Sequence, residues 1–95
     1  MYGTVAHLRA KPNVGAHLSD TLREFEQARV PGSIATYVYQ MDSDPNEYYL
    51  AVVFTDKAAY IANANSPEQD ARYRKLLELL ERPPEWHDGE ILSVS

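Results

Sequence analysis

The chain has 95 residues, carries a formal net charge of −5 and contains no cysteine. This length suits one domain over residues 1–95, which buries only about 60 to 65% of its unfolded surface and gains stability from self-association. The acidic balance without a basic stripe argues against nucleic acid and anionic membranes as partners. The lack of cysteine excludes disulfides and thiolate metal sites, and no segment is apolar enough to cross a membrane, so we expect a soluble cytoplasmic protein.

The first half of the chain predicts a strand, a helix and a β-hairpin. Residues 2–11 alternate in polarity, which is typical of a strand with one buried face. One predicted face contains Thr4, Ala6, Leu8 and Ala10, and the other contains Val5, His7 and Arg9. An apolar stripe from Val14 to Phe25 at helical spacing then predicts a helix that ends at Val30-Pro31-Gly32. Two apolar runs, 33–42 and 48–55, flank a polar turn and predict the hairpin.

The second half predicts two helices and a closing strand. A short alanine-rich helix over 56–62 is capped by Thr55 or Asp56. Ser66 is typical of an N-cap, Pro67 suits the first helical position, and Gln69 stands where a capping-box side chain reaches back to the Ser66 amide. This helix runs to about residue 81, and its predicted buried stripe is Tyr73, Leu76, Leu77 and Leu80. A last strand is expected over 86–94.

The order β-α-β-β-α-β predicts an α+β, ferredoxin-like domain, in which a four-stranded antiparallel sheet carries its helices on one face. Both alternating sets of the hairpin are apolar, although the helices can cover only one of them. The other face, rich in tyrosine, would expose a patch on the scale that indicates a partner. We therefore expect a homodimer through the open sheet face. The alternative is a monomer whose tyrosines shield that face with their hydroxyls outward.

Three segments together resemble the antibiotic biosynthesis monooxygenase domain of the dimeric α/β-barrel superfamily. They are the first strand around 6–12, the third strand with the helix that follows it over 49–60, and Asn65-Ser66-Pro67 at the start of the next helix. The resemblance spans nearly the whole chain. It implies a dimer whose two sheets close into a barrel, with a pocket between helices and sheet, and a cofactor-independent monooxygenase that acts on a small quinol-like or polyketide-like aromatic.

The haem-degrading branch of the same superfamily is disfavoured. Its pattern resembles an Asn on the first strand, a Trp before the last long helix and a haem-ligating His on that helix. These positions correspond here to Ala6, Asn63 and Tyr73. Ala6 cannot hydrogen-bond to a bound ligand, and a Tyr73 phenol would have to ionise before it could bind ferric iron. We expect no cofactor.

The resemblance implies a site built around Asn63 and Tyr73, which would orient a phenolic or enolic substrate. His7 or His87 would serve as the base near neutral pH. The predicted apolar walls are Tyr60, Trp86, Phe25 and Leu77. Two alternatives stay open at this point, because Tyr73 is also explained as part of the buried helical stripe and Asn63 as a helix C-cap.

The three histidines do not predict a metal site. His7, His17 and His87 fall on three different elements, and none has a second histidine three or four positions away. The acidic residues near the hairpin turn are better explained as turn formers than as a calcium-binding loop. The alternative to a monooxygenase function is that of a non-catalytic dimer with the same fold, which binds a small ligand or is associated with stress.

Overall fold

The computed structural model describes all residues 1–95, and its elements are a four-stranded sheet and three helices. In chain order they are β1 (Tyr2–Arg9), α1 (Gly15–Gln27), β2 (Ser33–Gln40), β3 (Glu47–Phe54), α2 (Lys57–Ala64), α3 (Pro67–Glu78) and β4 (Glu85–Glu90). The strands lie in the order β2-β3-β1-β4 and every pair is antiparallel. The predicted ferredoxin-like fold is confirmed, and the sheet of this single chain is open rather than closed.

The core lies between the inner face of the sheet and the helices. Alternate residues of β1 are buried there, and Ala6 and Leu8 are almost completely enclosed. Leu18 and Leu22 reach them from α1, because residues four apart lie on one face of a helix. Leu76 joins the cluster from α3, which closes the inner layer.

The helix start predicted at Ser66 is confirmed. The Ser66 hydroxyl accepts a hydrogen bond of 3.1 Å from the Gln69 backbone N–H, and Pro67 occupies the first helical position. The reciprocal half of the predicted capping box is wrong, because the Gln69 side chain accepts from Arg72 instead. Asp56 caps α2 by accepting from the Ala59 N–H at 2.8 Å. Two boundaries fall short of the expected ones, since α3 ends at Glu78 and β4 ends at Glu90.

The outer face of the sheet carries no helix and exposes large apolar side chains. Tyr37 and Tyr39 on β2 are more than half exposed, at 55% and 51%, and Val5 on β1 is 51% exposed. A bulge between Ser33 and Ala35 shifts the register at the start of β2, so Ile34 is exposed although it alternates with Thr36 and Val38, which face the cavity. None of the helices is long and apolar enough to cross a membrane.

Candidate functional site

A cavity of about 250 Å³ lies between the inner face of the sheet and the helices. It is mainly apolar, as is typical of sites that take small organic molecules. Its apolar lining consists of Leu22, Phe25, Val30, Val38, Leu50, Val52, Phe54, Ala64, Leu76 and Trp86. Its polar lining consists of Thr4, Ser33, Thr36, Tyr60, Asn63, Gln69, Asp70 and Tyr73.

Asn63 and Tyr73 both line this cavity, from two different helices. Asn63 lies in the last turn of α2, and its backbone carbonyl accepts a hydrogen bond of 3.0 Å from the Ser66 N–H. The C-cap of α2 is Asn65, in a right-handed conformation, so the side chain of Asn63 is not used for capping. The turn at Asn65 and the cap at Ser66 separate the two helices, and both helices reach the cavity, α2 through Asn63 and α3 through Tyr73.

Trp86 forms the wall next to Tyr73. It pairs with Ala6 across β4 and β1, on the inner face of the sheet. Its ring centroid lies 6.1 Å from that of Tyr73, with the planes tilted by 50°. Phe25 of α1 is a further aromatic wall of the cavity. The cavity therefore offers a ligand both an amide and a phenol beside aromatic surfaces.

Tyr60 closes the end of the cavity near β4, in contact with a residue that the sequence did not single out. Its hydroxyl donates a hydrogen bond of 2.8 Å to Asp88 Oδ1, and its ring packs edge-on against Tyr2 and Phe54, with centroids 5.3 Å and 5.5 Å away. Burial raises the pKa of Tyr60 to about 12, with the Asp88 carboxylate adding to the effect. Tyr60 is thus more than the apolar wall that was expected.

Thr4 lies beside this pair on the inner face. It is 4% exposed, and its Oγ1 has no hydrogen-bond partner of good geometry. Its hydroxyl is close enough to lower the Tyr60 pKa, by less than burial and Asp88 raise it. Thr4 and Asp88 are direct partners across β1 and β4. The register of these two strands therefore places Thr4 beside Asp88, and Tyr60 reaches both from α2.

The two histidines expected to act as the base lie outside the cavity. His7 alternates with the inner residues of β1, and His87 pairs with the exposed Val5, so both belong to the outer face of the sheet. Neither can accept a proton from a ligand that is held in the cavity of the same subunit. Leu77, which was expected in the pocket, also does not line it, because it follows Leu76 by one position and a helix turns about 100° per residue.

His7 takes part instead in an ionic cluster on the outer face. Its Nε2 bonds to Glu47, and its Nδ1 lies 3.4 Å from Glu85 Oε2. Arg9 also bonds to Glu47, and further to Asp44 at 2.8 Å and Glu81 at 3.1 Å. His7 and then Arg9 hold the pKa of Glu47 below its usual range. Arg9, helped by the Asn46 backbone N–H, does the same for the pKa of Asp44.

The cavity itself contains no cationic side chain. No Lys, Arg or His lines it, and its one carboxylate, Asp70, is paired with Arg74 at 2.9 Å on the solvent side. At the other end the Tyr60 hydroxyl connects the cavity to the Asp88 carboxylate. The site thus has hydrogen-bonding groups for a neutral ligand and no positive charge for an anionic one.

This fold and cavity define a small α+β domain with a mainly apolar cavity between sheet and helices. The model of the antibiotic biosynthesis monooxygenase family matches residues 1–75. The chain therefore belongs to the antibiotic biosynthesis monooxygenase family, whose members are typically dimeric. The resemblance noted in the sequence is confirmed.

Solved structures agree on the fold. SnoaB, a cofactor-independent oxygenase from Streptomyces nogalater, superposes with a TM-score of 0.87 at 17% identity, over 98% of this chain and 94% of its own. NE2512 of Nitrosomonas europaea, a protein of unknown function, has a TM-score of 0.81 at 24% identity, with coverages of 99% and 91%. A conserved protein from Methanosarcina mazei has a TM-score of 0.82 at 19% identity, with coverages of 93% and 89%. A search of curated protein sequences finds no match.

Proposed function

We propose that this protein is a cofactor-independent monooxygenase that acts on a small quinol-like or polyketide-like aromatic. The observation that carries the proposal is the cavity, in which the Asn63 amide and the Tyr73 phenol stand beside Trp86. Its volume of about 250 Å³ is just below the range of about 300–1,000 Å³ typical of sites for drug-sized ligands, so a molecule of few rings fits it best. Membership of the monooxygenase family and the fold shared with SnoaB support the same reaction class.

The chemistry asks little of the protein beyond binding and proton transfer. An electron-rich phenol or enol loses a proton, and the resulting anion passes an electron to O₂. In the net reaction the ring carbon that is a CH₂ group in the keto tautomer of this substrate becomes C=O, one oxygen atom enters the product and the other leaves as water, so that R₂CH₂ + O₂ gives R₂C=O + H₂O. The protein must stabilise the anion and hold it away from bulk water.

Asn63 and Tyr73 suit the role of orienting the substrate oxygens. A neutral amide has two donors and an acceptor, and a phenol can donate to a developing oxyanion. The aromatic walls Trp86 and Phe25 would stack against the substrate ring and exclude water. With His7 and His87 on the outer face, proton transfer in this site falls to groups that line the cavity or to water.

The test is oxygen uptake with a panel of quinols and phenolic polyketide mimics, corrected for autoxidation without protein. We expect turnover by the wild type, and losses of about 10- to 1,000-fold in kcat/KM for Tyr73→Phe and Asn63→Ala if each supplies a hydrogen bond to the transition state. Matched controls are Tyr39→Phe on the outer face and Asn65→Ala at the helix C-cap, which should retain wild-type rates.

Absence of turnover by the wild type across the panel would refute the oxygenase proposal. Tight binding of the same compounds without oxygen consumption would favour the alternative, a small-ligand-binding protein of this fold. Equal losses in the cavity variants and their controls would show that Asn63 and Tyr73 serve packing rather than a site.

We also propose that the protein forms a homodimer through the outer face of the sheet, in a reducing cytoplasm. Only 13 of the 95 residues are buried in the single chain, and Val5, Tyr37 and Tyr39 leave an apolar surface uncovered. Ala51 lies at the centre of this face, paired with both Val5 and Tyr37. Sedimentation should show a dimer for the wild type and a monomer for Ala51→Glu, while Ala16→Glu on α1 should remain dimeric. A wild-type monomer at micromolar concentration would contradict the proposal.

A further inference from the structure

The end of the cavity next to β4 has a charge arrangement that bears on which ligands it accepts. Tyr60 lines the cavity, and its hydroxyl donates a hydrogen bond to Asp88. The phenol oxygen therefore keeps a lone pair that can accept a hydrogen bond from another donor. Its ring is held between Tyr2 and Phe54, which restricts the position of that oxygen. Beside it stands the Thr4 hydroxyl, which is buried and has no hydrogen-bond partner of good geometry.

A neutral hydroxyl matches these groups better than any other common substituent. It can donate a hydrogen bond to the Tyr60 oxygen and accept one from the Thr4 hydroxyl, and it brings no charge towards Asp88. A carboxylate has no proton to donate and would approach the Asp88 carboxylate without a cation to offset the repulsion. Lys57, on the same helix as Tyr60, lies over the ring of Tyr2 and does not line the cavity.

We propose that Asp88 determines the charge selectivity of the cavity. Acting through Tyr60 and next to the Thr4 hydroxyl, it makes this end a subsite for a neutral hydroxyl and excludes carboxylates. Asp88 is a positioning and selectivity residue rather than a catalytic one, because it reaches the ligand only through Tyr60. The inference rests on the proposed function in assuming that the cavity binds aromatic ligands, but it does not require that they react.

Binding can be followed through the single tryptophan of the chain, Trp86, which lines the cavity and gives one indole N–H signal in ¹H–¹⁵N spectra. Three probes of similar size separate the effects of hydroxyl and charge: 4-ethylphenol, ethylbenzene and 4-ethylbenzoate. Titrations under argon keep binding separate from turnover. We expect the wild type to bind the phenol at least about tenfold more tightly than the benzoate, a ratio that one hydrogen bond and one repulsive charge can supply.

Asp88→Asn is the decisive variant, because the amide oxygen can still accept from Tyr60 while the charge is removed. We expect it to reduce the phenol-to-benzoate ratio by about fivefold or more, mainly through tighter binding of the benzoate. Thr4→Val should weaken 4-ethylphenol by about two- to tenfold and leave ethylbenzene unchanged. Asp42→Asn, in the turn before β3, removes an equal charge elsewhere and should leave all three affinities unchanged.

Two further measurements keep the test independent of how a variant folds. Asp88→Ser should reproduce the loss of selectivity, and the wild-type ratio itself should fall as salt is raised, since Asp88 is exposed and its field is screened. The inference is overturned if the wild type binds none of the probes, binds the benzoate as well as the phenol, or keeps its ratio after Asp88→Asn. Selective binding without oxygen uptake would defeat only the proposed activity, whereas turnover with an unchanged ratio in Asp88→Asn would defeat only this inference.

Discussion

Replacing Thr4 by valine should stabilise the protein. The Thr4 side chain is 4% exposed, and its hydroxyl has no hydrogen-bond partner of good geometry. The neighbouring Tyr60 hydroxyl already donates its hydrogen bond to Asp88. An unpartnered buried hydroxyl costs about 1–3 kcal/mol relative to a satisfied one. Valine has nearly the same shape, is also β-branched and keeps the strand propensity, so the substitution removes this cost without opening a void.

The expected gain is about 1 kcal/mol in the free energy of unfolding, at the low end of that range. For a domain of this size, a change of about 1 kcal/mol raises Tm by about 4–8 °C. With a urea m-value of about 1–2 kcal/mol/M, the unfolding midpoint should rise by about 0.5–1 M. Both should be measured at one fixed protein concentration, because self-association adds to apparent stability.

The matched control is Thr21→Val on α1, where the side chain is partly exposed and the change should lie within about 0.5 kcal/mol. A fall in Tm and in the urea midpoint for Thr4→Val would show that the hydroxyl has a partner in the folded protein. It would then contribute to stability, and its role as a free group for a ligand would be refuted.

Three further outcomes test other parts of the structure. Leu76→Ala removes a fully buried side chain of the core and should cost about 2–5 kcal/mol in urea unfolding; a loss below about 1 kcal/mol would mean that α3 is not packed as described. Ser66→Ala removes the N-cap of α3 and should cost about 1 kcal/mol, whereas Ser66→Asp should retain most of the stability. Folding lowers the pKa values of the Asp44 and Glu47 carboxylates, so both groups stabilise the fold at a pH above their unfolded pKa values near 4. This contribution is lost as the pH falls through the folded pKa values. Unfolding measured from pH 6 to 2 should show stability falling with pH, and Arg9→Gln should flatten the slope; equal slopes would rule out Arg9 as the cause.

Much of the site could be anticipated from the sequence, because its parts depend on local rules. Ser66 and Pro67 define the start of α3 through capping and a fixed φ. Once that start is known, helical spacing fixes the relative directions of Tyr73 and Leu76. The strict alternation of β1 separates Ala6 from His7 on opposite faces of the sheet, a consequence of strand geometry that could already have argued against His7 as a base in the cavity.

The remaining features depend on contacts between elements far apart in the chain. Tyr60 and Asp88 are separated by 28 positions, and they meet only because β4 pairs with β1 in a register that sets Asp88 opposite Thr4. A local competition also escaped the pattern: the Ser66 N–H already donates to the Asn63 carbonyl, and the Gln69 side chain accepts from Arg72 instead of closing a capping box.

The sequence by itself therefore determined the order of the elements, the start of α3 at Ser66 and the two apolar faces of the sheet, since period, propensity and capping act within a few residues. Only the tertiary structure decided which polar groups share the cavity and which charges stay outside it. Strand register and helix rotation set those distances, and neither is encoded within any single segment of the chain.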